Sequence, residues 1–447
     1  MLDSNLIFAV ILGIIVLLVL ILKFKIQAFI ALLIASILVG IISGMNPVDI
    51  IKTMQDGMGN TLGFVAVVVG LGAMFGAILE YSGGAEALAR YLLSKFGEKN
   101  ASWALMLTGF FIAIPVFFDV AFIILVPLIY SLQRKTKKSL LLYGIPLLAG
   151  LAITHSFIPP TPGPVAVADI LKADLGWVIL FGFIAGVPAA IISGPLFAKY
   201  IGNKIHVKAP DLLKESSEVS SYPSVGLIIG IIGIPIVLIV LNTVLNSSLF
   251  SESLVSEDIK KWLQMIGHPF SALIIANLIA MYLLGIRRGV SGQSLLNITT
   301  KSMEPAGIII LLTGAGGVFK QMLVNTGVGE MMANYFTDVG VSVFVFAFVV
   351  AVLVRVLQGS ATVAMITAAG ICAPLLSVNV SEVDKALLVI VIASGASILS
   401  HVNDSGFWLV SKYLGLTEKQ TFKSWTVMTT LLALVGFVTV NVISIFV

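Results

Sequence analysis

The chain has 447 residues, of which 58% are hydrophobic and 11% charged, with a mean hydropathy of +1.09. A soluble domain carries roughly 25% charged residues, so the composition excludes a water-soluble globular protein and implies an all-α polytopic membrane protein. The net charge of +4 lies in loops between apolar runs, where it reports orientation; no aromatic or arginine cluster accompanies it, so no nucleic-acid partner is expected.

The first apolar run, residues 7–22 (IFAVILGIIVLLVLIL), is long enough to cross about 30 Å of hydrocarbon. No basic region precedes it and Lys23 and Lys25 follow it, so it reads as a span rather than a cleavable signal. Further on, residues 70–92 match residues 314–336 at eight of 23 positions without a gap: Gly70/Gly314, Gly72/Gly316, Phe75/Phe319, Leu79/Leu323, Gly83/Gly327, Glu86/Glu330, Ala89/Ala333 and Tyr91/Tyr335. Chance supplies about two. The hydrophilic stretch 202–223 therefore separates two related halves, residues 1–201 and 224–447. Each half reads as two spanning helices, a third ending in a short amphipathic segment, a broken apolar stretch, an interrupted helix and a last helix.

The broken stretches are 102–131 and 339–376. At about 1.5 Å per residue the first is too short for two crossings, which need roughly 40 residues. If both stretches return to the face they left, 19 Lys and Arg fall on one side and five on the other, with Lys320 and Arg355 embedded. If each crosses once, the split is 11 to 13. The positive-inside rule favours the first arrangement. The expectation is therefore two inverted-topology repeats of five spans each, every one with a re-entrant hairpin and an interrupted helix. The basic side is then cytoplasmic and both termini lie outside. Such repeats are the architecture of secondary transporters.

Polar residues gather at four places in the apolar runs. The first hairpin turns at 114–120 and carries Asp119. The second turns at 355–362 and carries Arg355, Gly359, Ser360 and Thr362. The first interrupted helix breaks at Thr154, His155 and Ser156 and then PPTPGP, which includes Thr161 and Gly163. The second breaks at Ser400, His401, Asn403 and Asp404. Non-helical backbone at membrane depth is tolerated where protein or a wet cavity meets it, so these breaks line a site. Burial of a carboxyl group in hydrocarbon favours its neutral form, which makes Asp119 and Asp404 candidate proton carriers. Each also stands where a helix cap would. Arg355 stays charged at any pH and suits Asp119, Asp404 or an anionic substrate. Gly359, Ser360 and Thr362 open a helix whose free amides attract anions. Lys320 reads as a snorkelling lysine, and His206 and His268 as non-ligands. Trp103, Trp177 and Trp425 sit at helix ends, as interfacial belts require. The polybasic run 133–138 reads as a topology determinant. Cys372 is the sole cysteine, so no disulfide and no thiolate metal site is expected.

The pieces ILKFKIQAFIALLIAS, FFDVAFIILVPL, THSFIPPTPGP, GSATVAM and SHVNDSGFWLV together resemble the gluconate:proton symporter (GntP) family, and the resemblance runs essentially the whole length. It implies an inner-membrane proton symporter for gluconate or a related sugar acid, with one branch of the family taking D-serine. It also implies a transport domain sliding against a dimeric scaffold, and no cofactor, metal or catalytic residue. Carried onto this chain, it implies contacts from Thr154–Gly163 and Ser400–Gly406, substrate contacts from Ser360 and Thr362, and an acidic site at Asp119. The family often has Glu at the Asp119 position and His at the Thr161 position. Where that histidine is missing, the coupling proton falls here to Asp119, His155 or His401. The expected function is proton-coupled uptake of gluconate or a related sugar acid. The alternative is a D-serine or other small-carboxylate carrier, with sodium as the other coupling ion. An intramembrane hydrolase fits less well, since neither HExxH nor GxSxG occurs.

Overall fold

The computed structural model describes residues 4–210, 222–246, 256–326, 342–376, 380–402 and 404–446. Among the described residues every regular element is helical. Within the same residues, seven segments are long and apolar enough to cross a membrane: Pro47–Tyr81, Leu141–Leu171, Leu175–Lys204, Val225–Leu245, Pro269–Arg288, Gly292–Asn325 and Glu418–Ile443.

In chain order the helices are α1 (Ser4–Leu22), α2 (Ala28–Ile42), α3 (Pro47–Tyr81), α4 (Gly84–Phe96), α5 (Ala101–Ile112), α6 (Phe118–Thr136), α7 (Leu141–Phe157), α8 (Pro162–Leu171), α9 (Leu175–Ile191) and α10 (Phe197–Lys204). Beyond the linker come α11 (Val225–Asn246), α12 (Glu257–Gly267), α13 (Pro269–Ala280), α14 (Gly292–Asn325), α15 (Val343–Gln358), α16 (Ala361–Cys372), α17 (Glu382–Ser397), α18 (Ser405–Leu414) and α19 (Val427–Ile443). A π-helical turn joins α9 to α10 at Ile192–Leu196, and another leads into α19 at Phe422–Thr426. The series long helix, two short arms, interrupted pair and π-bulged last helix thus occurs once before residue 205 and once after residue 291. Four of the matched repeat positions, Gly327, Glu330, Ala333 and Tyr335, lie outside the described residues.

Local chemistry explains the boundaries. Asn46 caps α3 by accepting from the Val48 amide at 3.0 Å, with Pro47 at the first helical position, where a missing N–H is harmless. Asp174 caps α9 through the amides of Gly176 and Trp177. The two longest helices, α3 and α14, run antiparallel: Asn325 donates to Thr53 at 2.9 Å, and Gly314 lies against Met58 and Leu62. A Cβ on Gly57 would come within 2.9 Å of the Gly317 carbonyl, so small residues set this close approach, as they do between membrane helices.

The first broken stretch doubles back. Near its start, Ser102 donates to the Leu142 carbonyl at 2.8 Å. Near its finish, Thr136 accepts from the Tyr143 hydroxyl at 2.9 Å. Both contacts are with the N-terminal end of α7, whereas Phe117, at the turn, meets His155 near the C-terminal end of α7. A Cβ on Gly150 would collide with the Met106 carbonyl, and one on Gly109 with the Leu147 carbonyl, so α5 and α7 pack backbone to backbone. α5 and α16 have 12 residues each, about 18 Å of helix, well short of a hydrocarbon core about 30 Å thick.

Candidate functional site

A cavity of about 510 Å³ lies where the hairpin turns and the helix breaks meet. The start of α6 contributes Phe117, Phe118, Asp119 and Val120, and α7 contributes Ala152, His155 and Ser156. From the other half come Arg355 and Gln358–Thr362 at the α15–α16 turn, and Ser397 with Asp404–Gly406 at the α17–α18 break. Pro305 and Ile309 of α14 and Trp425, Thr429 and Leu432 of the last helix close the wall.

Arg355, whose side chain is 4% exposed, is held at three points. Its Nε donates to the Ile398 carbonyl at 3.3 Å, one terminal nitrogen donates to the Gly359 carbonyl, and the other meets Asp404 Oδ2 at 2.5 Å. The first two acceptors are carbonyls freed by interruptions in the helices. Gly359 ends α15 with φ 92°, a conformation glycine adopts without a Cβ penalty, and Leu399 in the second break also has positive φ, 48°. Asp404 uses its second oxygen to cap α18, accepting from the Gly406 amide at 3.0 Å. Ser400 donates to Asp404 and accepts from the Trp425 indole at 2.5 Å. The guanidinium charge is thus matched by a carboxylate inside the protein.

Asp119 stands differently. It lies in the first turn of α6, makes no hydrogen bond or ion pair among the described residues, and is exposed to the cavity. Facing it, α16 starts at Ser360, whose Oγ accepts from the Val363 amide at 3.3 Å while its own amide donates to Gln358 at 2.9 Å. The amides of Ala361 and Thr362 have no acceptor within the helix, and they open onto the cavity. Three helix N-termini, those of α6, α16 and α18, therefore converge on one space, each carrying about half a positive charge. Such a space accommodates a small anion, with Ser156, Ser360 and Thr362 available to hydroxyl groups; Ser397 already donates to the Ala393 carbonyl at 2.7 Å.

The remaining expected site residues lie around this space. Thr154 is fully buried, with its hydroxyl unpaired, and is not part of the lining. His155 is in the lining, with Nδ1 buried and unpaired. His401 bonds the Val356 carbonyl through Nε2 at 2.8 Å and stands outside the lining. Thr161 donates to the Ile158 carbonyl at 2.6 Å within its own break, and Gly163 packs on Met365, where a Cβ would lie 2.9 Å from the sulfur. Gly163 thus sits at the contact of α8 with α16, and Thr161 lies beside α3 and the first hairpin turn; neither is in the lining. Asn403 lies outside the described residues. Lys320 lies near Lys172 and Asp169, away from the cavity. His268 accepts from the Phe270 amide.

Trp425 corrects the interfacial-belt reading. It is 3% exposed, its indole N–H is used by Ser400, and its ring lies 5.6 Å from that of Phe118. A tryptophan at the start of an apolar helix gives the same sequence signal in either position. Gln358, Pro305 and Thr429 are also in the lining; of these, Gln358 had a signal, as an amide in an apolar run beside Gly359.

Comparison with known proteins agrees with this architecture. Residues 5–446 match the GntP family permease model. The chain is 40% identical to a gluconate permease of Pseudomonas aeruginosa over 446 residues, covering 99% of this chain and 98% of that protein. It is 42% identical to a low-affinity gluconate transporter of Escherichia coli K12, covering 95% of each. Among solved structures it resembles the Alcanivorax borkumensis YdaH transporter, described as having an unusual topology, with a TM-score of 0.61, 15% identity and 90% of each chain covered. That last likeness speaks to the fold alone.

Proposed function

Because the chain belongs to the GntP family of permeases, we propose that it carries gluconate or a closely related sugar acid across the inner membrane together with a proton. The substrate reading draws on relatives named for gluconate and on a cavity that joins three helix N-termini with several hydroxyls. The coupling reading rests on one observation. The fixed cation of the lining, Arg355, is already matched by Asp404, whereas Asp119 has no partner among the described residues.

A monocarboxylate entering beside an ionised Asp119 would place two unmatched negative charges in a low-dielectric space. Protonation of Asp119 removes one of them. One proton and one anion together leave the loaded site with no added charge, which lowers the cost of moving it past apolar surroundings. Proton and substrate are then coupled because neither is carried favourably alone.

The antiparallel α3 and α14, the doubled-back arms and the paired helix breaks support two inverted repeats with re-entrant hairpins. In this reading the basic loops are cytoplasmic and both termini are outside. Proteoliposome uptake of labelled gluconate tests the function. Uptake driven by an acid-outside gradient and indifferent to sodium fits the proposal; uptake that requires sodium assigns the coupling to that ion instead.

A further inference from the structure

A second recess, of about 670 Å³, opens at the end of the molecule where the first hairpin begins and finishes. Its basic side chains come from separate segments. Lys99 precedes α5, Lys137 and Lys138 lie between α6 and α7, Lys199 is on α10, and His206 follows α10. Backbone and side-chain bonds hold these segments together: Ser139 donates to the Ile205 carbonyl at 2.7 Å, and the Leu140 amide to the Val207 carbonyl at 2.8 Å. Lys137 ends α6 with φ 58°, a left-handed conformation uncommon outside glycine.

Among the described residues, no carboxylate pairs with these lysines. The acidic residue of the lining, Glu98, pairs with Lys135. Among the described residues, the ammonium groups of Lys99, Lys137, Lys138 and Lys199 make no hydrogen bond or ion pair. The hydroxyls of Ser102, Ser139 and Tyr143 already donate elsewhere, so what the recess offers a guest is positive charge plus the amides of Asn100 and Asn203. Orientation by positive charge explains lysines in these loops. It does not require four of them to surround one concavity, where their mutual repulsion is unfavourable.

We propose that this recess binds a phosphate-bearing anion. Multiply charged, acceptor-only oxygens complement several ammonium groups at once. The anion has two sources to distinguish: the headgroup of an anionic phospholipid, for which Trp103 and Pro195 supply an apolar edge, or a soluble organic phosphate. An occupant bridging these lysines ties both ends of the hairpin that carries Asp119 to α10.

The full chain in nanodiscs tests this in two arms. One measures phosphatidylglycerol retained per protein after exchange into neutral lipid. The other titrates glycerol 3-phosphate onto protein in phosphatidylcholine alone. The triple variant Lys137→Gln, Lys138→Gln, Lys199→Gln removes charges that have no partner, and circular dichroism checks its fold. Lys199→Gln alone serves if the triple variant misfolds. The control Lys412→Gln, Lys419→Gln, Lys423→Gln removes as many charges elsewhere. The expected result is wild-type binding in at least one arm, weakened about tenfold or more by the triple variant, or severalfold by Lys199→Gln, and unchanged in the control; the responding arm identifies the source. Absence of wild-type binding in both arms, or equal weakening by recess and control variants, overturns the proposal.

Discussion

Arg355 and Asp404 form the polar centre of the second half, and their burial sets what mutation should do. Removing one partner of a buried pair leaves an uncompensated charge and costs about 3–5 kcal/mol. Arg355→Ala is therefore expected to lower both thermal stability and uptake, and Arg355→Lys, which keeps the charge and loses the three-point hold, to recover stability more than uptake. Thermal unfolding in detergent and uptake in proteoliposomes check this; an Arg355→Ala protein of wild-type stability would contradict it. Asp119 has no partner among the described residues, so Asp119→Asn should fold normally. It is expected to lose gradient-driven uptake by about a hundredfold while retaining exchange of labelled for unlabelled gluconate. Loss of exchange as well would make Asp119 a substrate contact instead of a proton carrier. Asp119, Arg355, Ser360 and Asp404 were all legible in the sequence, because polar residues in apolar runs stand out. Trp425 was not, since a tryptophan in an apolar stretch is compatible with either lipid headgroups or a buried site.

The helices place these residues through close backbone approaches. A Cβ on Gly76 of α3 would collide with the Pro115 carbonyl at the first hairpin turn, so α3 fixes the depth of the loop that carries Asp119. Overpacking at such a contact costs typically 1–3 kcal/mol. Gly76→Ala should displace the turn and reduce uptake, with a larger loss for Gly76→Val, whereas Gly63→Ala, on the same helix with open space around it, should have little effect. Uptake assays on the three variants separate the cases, and equal activity in all of them would deny the turn its support. At this scale the sequence was informative about where helices break, because proline and glycine act locally. It was less informative about which breaks face the cavity. Thr161 and Gly163 belong to a conspicuous PPTPGP motif, yet Gly163 packs against α16 and Thr161 lies beside α3 and the first hairpin turn; the direction a break faces is decided by neighbours distant in the chain.

For the molecule as a whole, the contact of residues 139–140 with 205–207 puts two basic loops at one end. Single cysteines introduced at Ser139 and His206 in a Cys372→Ala background should label from the same face. Labelling from opposite faces would exclude the inverted arrangement, an expectation that rests on the eight matched positions and the distribution of lysine and arginine. The central claim, that a sugar acid and a proton share the cavity between the hairpin turns, is tested most directly in proteoliposomes. Labelled gluconate uptake should be measured with and without an imposed acid-outside gradient, in wild type and Asp119→Asn. Accumulation above the equilibrium level in wild type, abolished by a protonophore and absent in Asp119→Asn, is the expected result; uptake indifferent to the gradient in both proteins would contradict it.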